Sequence, residues 1–108
     1  MVKKRREIKA IVTRFARRLG ELGVEVSQII LYGSYAKGKP KEYSDIDIAV
    51  VSPTFEKLDI FKRQEVLSIA HHGFDEPIEP IGLTPNQIKE KKGLVREILV
   101  TGVILFKK

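Results

Sequence analysis

Two stretches of this chain hold residue types that can do chemistry together: Leu31-Tyr32-Gly33-Ser34-Tyr35-Ala36-Lys37-Gly38 and Ser44-Asp45-Ile46-Asp47-Ile48-Ala49-Val50. In the first, an apolar run ends at Gly33-Ser34. Glycine there lets the backbone approach a ligand without an intervening Cβ. If Ser34 opens a helical turn, its amide and those that follow attract phosphate. No Gly-Lys-Ser/Thr follows, so this is not a Walker loop. In the second stretch Asp45 and Asp47 are two apart, and on a strand such residues share a face, roughly 6–7 Å from each other. Two carboxylates at that spacing repel by about 2–3 kcal/mol at an effective dielectric of about 20. A hard divalent cation removes that repulsion, and carboxylate oxygens suit magnesium or manganese. A third acid would complete a two-metal site. Glu79, flanked by Ile78 and Ile81, is favoured over Glu76, while Asp59 and Asp75 are explained by capping and turn roles.

These residues need strands and turns to hold them. Positions 4–22 read as a helix, with Ile8, Ile11, Val12, Phe15, Leu19 and Leu22 at three- and four-residue steps. Its cationic start opposes the helix macrodipole and predicts fraying there. Positions 29–32 read as a buried strand and 45–51 as a second strand that sends Ile46, Ile48 and Val50 to the core. Positions 58–72 read as a helix with Leu58, Phe61, Val66 and Ile69 inward. Positions 77–83 form an extended segment that Pro77 and Pro80 place at a sheet edge. Thr84-Pro85-Asn86-Gln87 is a capping-box helix start. Positions 94–101 give a last helix and 103–106 a last strand. The expected architecture is therefore mixed α/β: a small mixed sheet of about four strands packed by helices. Its first two strands are antiparallel, joined by a loop too short for a crossover, and the next is parallel through the 58–72 helix.

Gly33-Ser34-Tyr35-Ala36-Lys37-Gly38 followed by Ser44-Asp45-Ile46-Asp47-Ile48 resembles the signature of the minimal nucleotidyltransferases in the polymerase-beta-type superfamily. That pattern is Gly-Ser-x-Ala-(Arg/Lys)-Gly, a short loop, then Ser-Asp-x-Asp-(Leu/Ile). The resemblance implies the polymerase-beta-type nucleotidyltransferase fold. The implied reaction moves a nucleoside monophosphate, AMP from ATP, to an acceptor hydroxyl and releases pyrophosphate. It also implies that Gly33, Ser34, Lys37 and Gly38 bind the nucleotide, and that Asp45, Asp47 and Glu79 are catalytic and ligate two Mg2+ ions, with Mn2+ as an alternative. The family usually has aspartate where Glu79 stands, and arginine is common where Lys37 stands; lysine lacks the bidentate fork. Many such chains serve as the antitoxin of a toxin–antitoxin pair and modify an all-helical HEPN-type partner.

Length and composition agree. A chain of 108 residues is expected to form one domain over 1–108. With no cysteine there is no disulfide framework, zinc knuckle or thiol nucleophile. No run has the length of a membrane span or a signal peptide, so the expected setting is cytoplasmic with no membrane contact. The net charge of +6 concentrates at positions 3–18 and at Lys37, Lys39 and Lys41. Such a balance favours anionic partners, and RNA is one, through the basic first helix. Tyr35 or Tyr43 is placed to stack a base, whereas Tyr32 is expected in the core. A second chain, HEPN-type or another copy, would complete a site too small to hold both nucleotide and acceptor. The alternative reading is a binding module of vestigial activity that sequesters a partner protein or RNA.

Overall fold

The computed structural model describes residues 2–108. Helix α1 (Arg5–Glu21) leads into strand β1 (Gln28–Tyr32), a single helical turn α2 (Gly33–Ala36) and strand β2 (Ile46–Val51). A 3-10 turn (Pro53–Lys57), helix α3 (Ile60–His71) and strand β3 (Ile78–Leu83) follow, then α4 (Pro85–Glu90), α5 (Leu94–Thr101) and β4 (Val103–Lys107). The strands form one mixed sheet in the order β3-β2-β1-β4. β1 is antiparallel to β2 and β4, and β2 is parallel to β3. The expected pairing senses and the edge position of β3 are both realised.

The two faces of this sheet are built differently. Ile29 and Leu31 of β1 and Ile46, Ile48 and Val50 of β2 point into one core with Ile8, Val12, Phe15 and Leu19 of α1 and Leu67 and Ala70 of α3. On the opposite face Ile30, Ala49, Val51 and Leu83 meet Val95 and Ile98 of α5. Helix α5 crosses that face from Leu83 of β3 toward β1, where Tyr32 packs against the same cluster. Asp47 and Glu79 face each other at the entry ends of β2 and β3.

Three local expectations are corrected. The start of α1 does not rely on an external anion, because the Glu7 carboxylate accepts from the Lys4 amide at 2.9 Å and brings an acid to the first turn. In α3, Phe61 is 79% exposed and Ile69 46%, while Leu67 and Ala70 are fully buried. Leu58 and Val66 are partly buried. The inward stripe is turned by about one residue because Arg63 belongs to it. Its Nε donates to the Phe55 and Leu58 carbonyls, each at 3.0 Å, and its Nη1 donates to Gln87 Oε1 at 3.0 Å. A bonded arginine hides the phase of a helix read by apolar residues alone. Lastly, β2 begins at Ile46, leaving Asp45 just outside the strand. Among the described residues no helix is long and apolar enough to cross a membrane.

Candidate active site

β1 ends at Tyr32 and turns directly into α2 at Gly33, whose φ is 74°. That backbone conformation suits glycine, and space demands it as well: a Cβ on Gly33 would overlap the Asp47 carboxylate. The glycine of the first motif and an aspartate of the second therefore touch across the β1–β2 pair. Lys37 donates its amide to the Gly33 carbonyl at 3.1 Å, and Lys39 donates to the Ser34 carbonyl at 3.0 Å. Gly38, at φ 72°, takes the chain out of the turn. Ser44 accepts the Lys41 amide on its Oγ at 2.7 Å and closes the loop just before Asp45.

Register places the acids. Asp47 is opposite Tyr32 on β1 and opposite Glu79 on β3. Tyr32, Asp47 and Glu79 thus form a row on one face across three strands, each about 4.8 Å from the next. Asp45, exposed at the entry to β2, hydrogen-bonds the Glu79 side chain. The three carboxylates stand together, and Glu79 and Asp47 respond to the crowding. Glu79 is pushed above the ordinary carboxyl range, first by sharing a hydrogen bond with Asp45, then by the charges of Asp45 and Asp47 and by slight burial. Asp47 is raised first by burial and then by the charge of Asp45. No ion pair to any of the three exists among the described residues. Nor, among those residues, do three His, Asp or Glu side chains stand as a closed metal-binding cluster. The row is an open set of oxygen donors with uncompensated charge, which side-chain rotation must close around an ion. Its donor chemistry fits a hard divalent cation.

The other candidates separate cleanly. Glu76 is paired with Arg14 at 2.9 Å, away from the row. His71 Nε2 is 2.8 Å from the Glu76 carbonyl, a structural bond. Asp59 caps α3 by accepting from the Lys62 amide at 2.9 Å. Lys37 reaches Glu97 of α5 at 3.9 Å. Tyr35 is buried and cannot stack a base, because α2 turns it into the main core. Tyr43 is 89% exposed.

Tyr32, expected in the core, does pack against the second apolar cluster, and it also joins the acid row. It is half-buried on the acid face, and its phenol is held protonated above its ordinary range by burial and then by Asp47 and Glu79. Period-2 alternation from Leu31, a core residue, would have put Tyr32 on the face opposite the main core. Glu79 also borders a hollow of about 410 Å³ lined by Gln64, Ser68, His71, Ile78 and Pro80.

Comparison with known proteins agrees with this picture. The profile of the family described as "Nucleotidyltransferase domain" matches residues 8–105. Two proteins of Methanocaldococcus jannaschii, both provisionally named protein adenylyltransferases, are similar. MJ1215 is 45% identical over 62 residues, covering 56% of this chain and 71% of its own length. MJ1305 is 32% identical over 76 residues, covering 66% of this chain. The chain spans only half the length of MJ1305. Among solved structures, a provisionally named nucleotidyltransferase from Sulfolobus solfataricus aligns over 100% of this chain and 93% of its own, at TM-score 0.62 and 21% identity. A toxin–antitoxin structure with AMP-PNP aligns over 89% of this chain and 73% of its own, at TM-score 0.62 and 23% identity. The Shewanella oneidensis MNT antitoxin, in complex with a tri-AMPylated HEPN toxin, aligns over 93% and 70%, at TM-score 0.55 and 20% identity. At these identities the structural matches establish the fold.

Proposed function

The chain belongs to the nucleotidyltransferase domain family, and from that premise we propose that it transfers AMP from ATP to a hydroxyl on a partner protein, at the site where Gly33, Asp47 and Glu79 meet. The observation that carries this reading is the contact between the two motifs. Gly33 has no side chain because the Asp47 carboxylate occupies that space, so a phosphate cradled at the turn would lie beside the acid row.

The residues divide the work. The amides of the Gly33-Ser34 turn, the Ser34 hydroxyl, Lys37 and the tight exit at Gly38 hold the triphosphate. Asp45, Asp47 and Glu79 would hold magnesium, which supplies charge stabilisation to the attacking and leaving oxygens. The acceptor oxygen bonds to the α-phosphorus in line, the bond from that phosphorus to the bridging oxygen breaks, and pyrophosphate leaves with that electron pair. The acceptor proton passes to Glu79, the exposed carboxylate of the row on edge strand β3. Half-buried Tyr32 packs behind Asp47 and limits water on that side.

Support for a protein acceptor comes from the relatives' names, and support for ATP from the AMP-PNP complex with the same fold. The partner favoured is a HEPN-type protein, as in the Shewanella complex, with this chain as its antitoxin. The test is co-purification from the native host, followed by incubation with ATP labelled at the α- or γ-phosphate. Label entering a co-purified protein from the α-position alone, and only with Mg2+ or Mn2+, is the expected result. Label from the γ-position would make the chain a kinase. Stable partner binding with no label from either position would make it a sequestering module.

A further inference from the structure

The region beyond the nucleotide turn carries more positive charge than the reaction uses. Lys39 and Lys41 alternate with Lys37 along the loop after α2, and all are exposed. The basic start of α1, some thirty residues earlier, is fastened to the same place. The Lys3 amide donates to the Tyr35 hydroxyl at 3.3 Å, and Arg5 Nη2 donates to the Tyr35 carbonyl at 3.3 Å. Buried Tyr35 therefore joins two cationic segments that are remote in sequence. Glu7, an acid within this group, is held by the Lys4 amide, and Glu42 is another.

One feature is not explained by attraction between charges. Tyr43 is 89% exposed, and it sits in the Lys41–Ser44 turn, which is closed at both ends. The Lys41 amide donates to Ser44 Oγ at 2.7 Å, and the Ser44 amide donates to the Lys41 carbonyl at 3.0 Å. The ring is displayed on a fixed support and makes no ring contact among the described residues. An acidic protein surface would be satisfied by the lysines and gives no reason to hold a phenol in water. A flat aromatic face beside spaced cations is what an unpaired base and its flanking phosphates require.

We propose that the Lys39–Tyr43 loop and the start of α1 form a binding site for single-stranded nucleic acid, with one base stacked on Tyr43 and the phosphates on Lys39, Lys41, Lys4 and Arg6. The loop adjoins the acid row but none of these residues belongs to it, so oligonucleotide binding can be measured with the transfer reaction stopped.

The test is fluorescence anisotropy with a labelled ten-nucleotide oligoadenylate RNA and the full chain, in EDTA so that no transfer occurs. Binding through about four phosphates should weaken about fifty-fold between 50 and 200 mM salt, since single strands lose about 0.7 of a logarithmic unit per phosphate per decade of salt. Tyr43→Ala should weaken binding by roughly fivefold to a hundredfold without changing the salt slope, and Tyr43→Phe should restore it. Lys39→Gln with Lys41→Gln should lower the slope by about 1.4. All three positions are exposed, so circular dichroism should be unchanged. The proposal is overturned by no binding at 50 mM salt, or by Tyr43→Ala binding like the parent chain. It is also overturned if a polyglutamate peptide or duplex RNA competes as well as the single strand, since either would make the surface a general anion sink.

Discussion

The two faces of the sheet are made from the same strands and both bury apolar side chains, but only one carries the acid row. On one face Ile46, Ile48 and Val50 of β2 are completely buried between α1 and α3. On the other, Asp47 lies between Ile46 and Ile48 in sequence, and its neighbours in space are Asp45, Glu79 and the phenol of Tyr32. The first face is apolar at all three of these positions. On the second, Asp45 makes Asp47 harder to ionise, and Asp45 and Asp47 do the same to Glu79, so the fold carries an electrostatic cost at the acid row. One strand of period two gives the protein both faces, and the stable one holds the costly one in position.

The comparison is broken most severely from the stable side. Ile48→Ala removes a fully buried side chain from the centre of the main core, and should cost about 2–5 kcal/mol in chemical denaturation. Asp47→Asn, one residue away, should reduce nucleotidyl transfer on the order of a hundredfold or more while leaving the fold intact by circular dichroism. If the aspartate variant unfolds and the isoleucine variant does not, the division of labour between faces is wrong.

Gly33→Ala tests the contact between the faces' two motifs. The residue is held at φ 74°, and its new methyl would displace the Asp47 carboxylate. The left-handed conformation alone should cost about 1–2 kcal/mol. Activity should fall by more than that stability loss explains, because the acid that moves is the one at the centre of the row. Equal activity in a folded Gly33→Ala protein would remove the close approach from the mechanism.

The acid row also gives stability a pH dependence of known sign. Asp47 and Glu79 have folded values raised above their ordinary 3.8 and 4.5. A carboxyl raised on folding binds its proton more tightly in the native state. Its contribution is fully present below the unfolded value and is lost as pH climbs through the raised one. In EDTA the melting temperature of the parent relative to Asp47→Asn should therefore fall across that window as pH rises. Asp47→Asn should melt at or above the parent chain at pH 7, and Mg2+ should restore the parent's loss. A parent chain that gains on Asp47→Asn with rising pH across the same window would contradict the crowding of the acids.

Much of this was legible in the sequence, for identifiable reasons. Gly33-Ser34, Asp45 and Asp47 are read from adjacent residues, and period two alone separates Asp47 from Ile46 and Ile48. The antiparallel β1–β2 pair and the parallel β2–β3 pair followed from loop length. What could not be read was register, which depends on contacts between strands remote in sequence. Register puts Glu79 level with Asp47 and brings Tyr32 into the row. Arg63 concealed the phase of α3, since its hydrogen bonds to Phe55, Leu58 and Gln87 exist only once the chain has folded. The burial of Tyr35 has the same origin, for the single turn of α2 decides which of its neighbours faces the core.

The smallest effect sharpens the comparison at the edge of the open face. Lys37 Nζ is 3.9 Å from Glu97 Oε1, with both side chains at least half exposed. A pair so long and so wet adds little to folding, within about 0–1 kcal/mol. Glu97→Gln should therefore leave the melting temperature nearly unchanged. It also leaves Lys37 without a competing carboxylate, so the KM for nucleotide should fall by about two- to threefold with kcat unaltered, the mark of binding gained equally by ground and transition states. Lys37→Gln should raise KM in the opposite direction. If Glu97→Gln instead lowers stability and leaves KM where it was, the pair belongs to the folding side of the molecule, and Lys37 is a strut between α2 and α5, not a phosphate ligand.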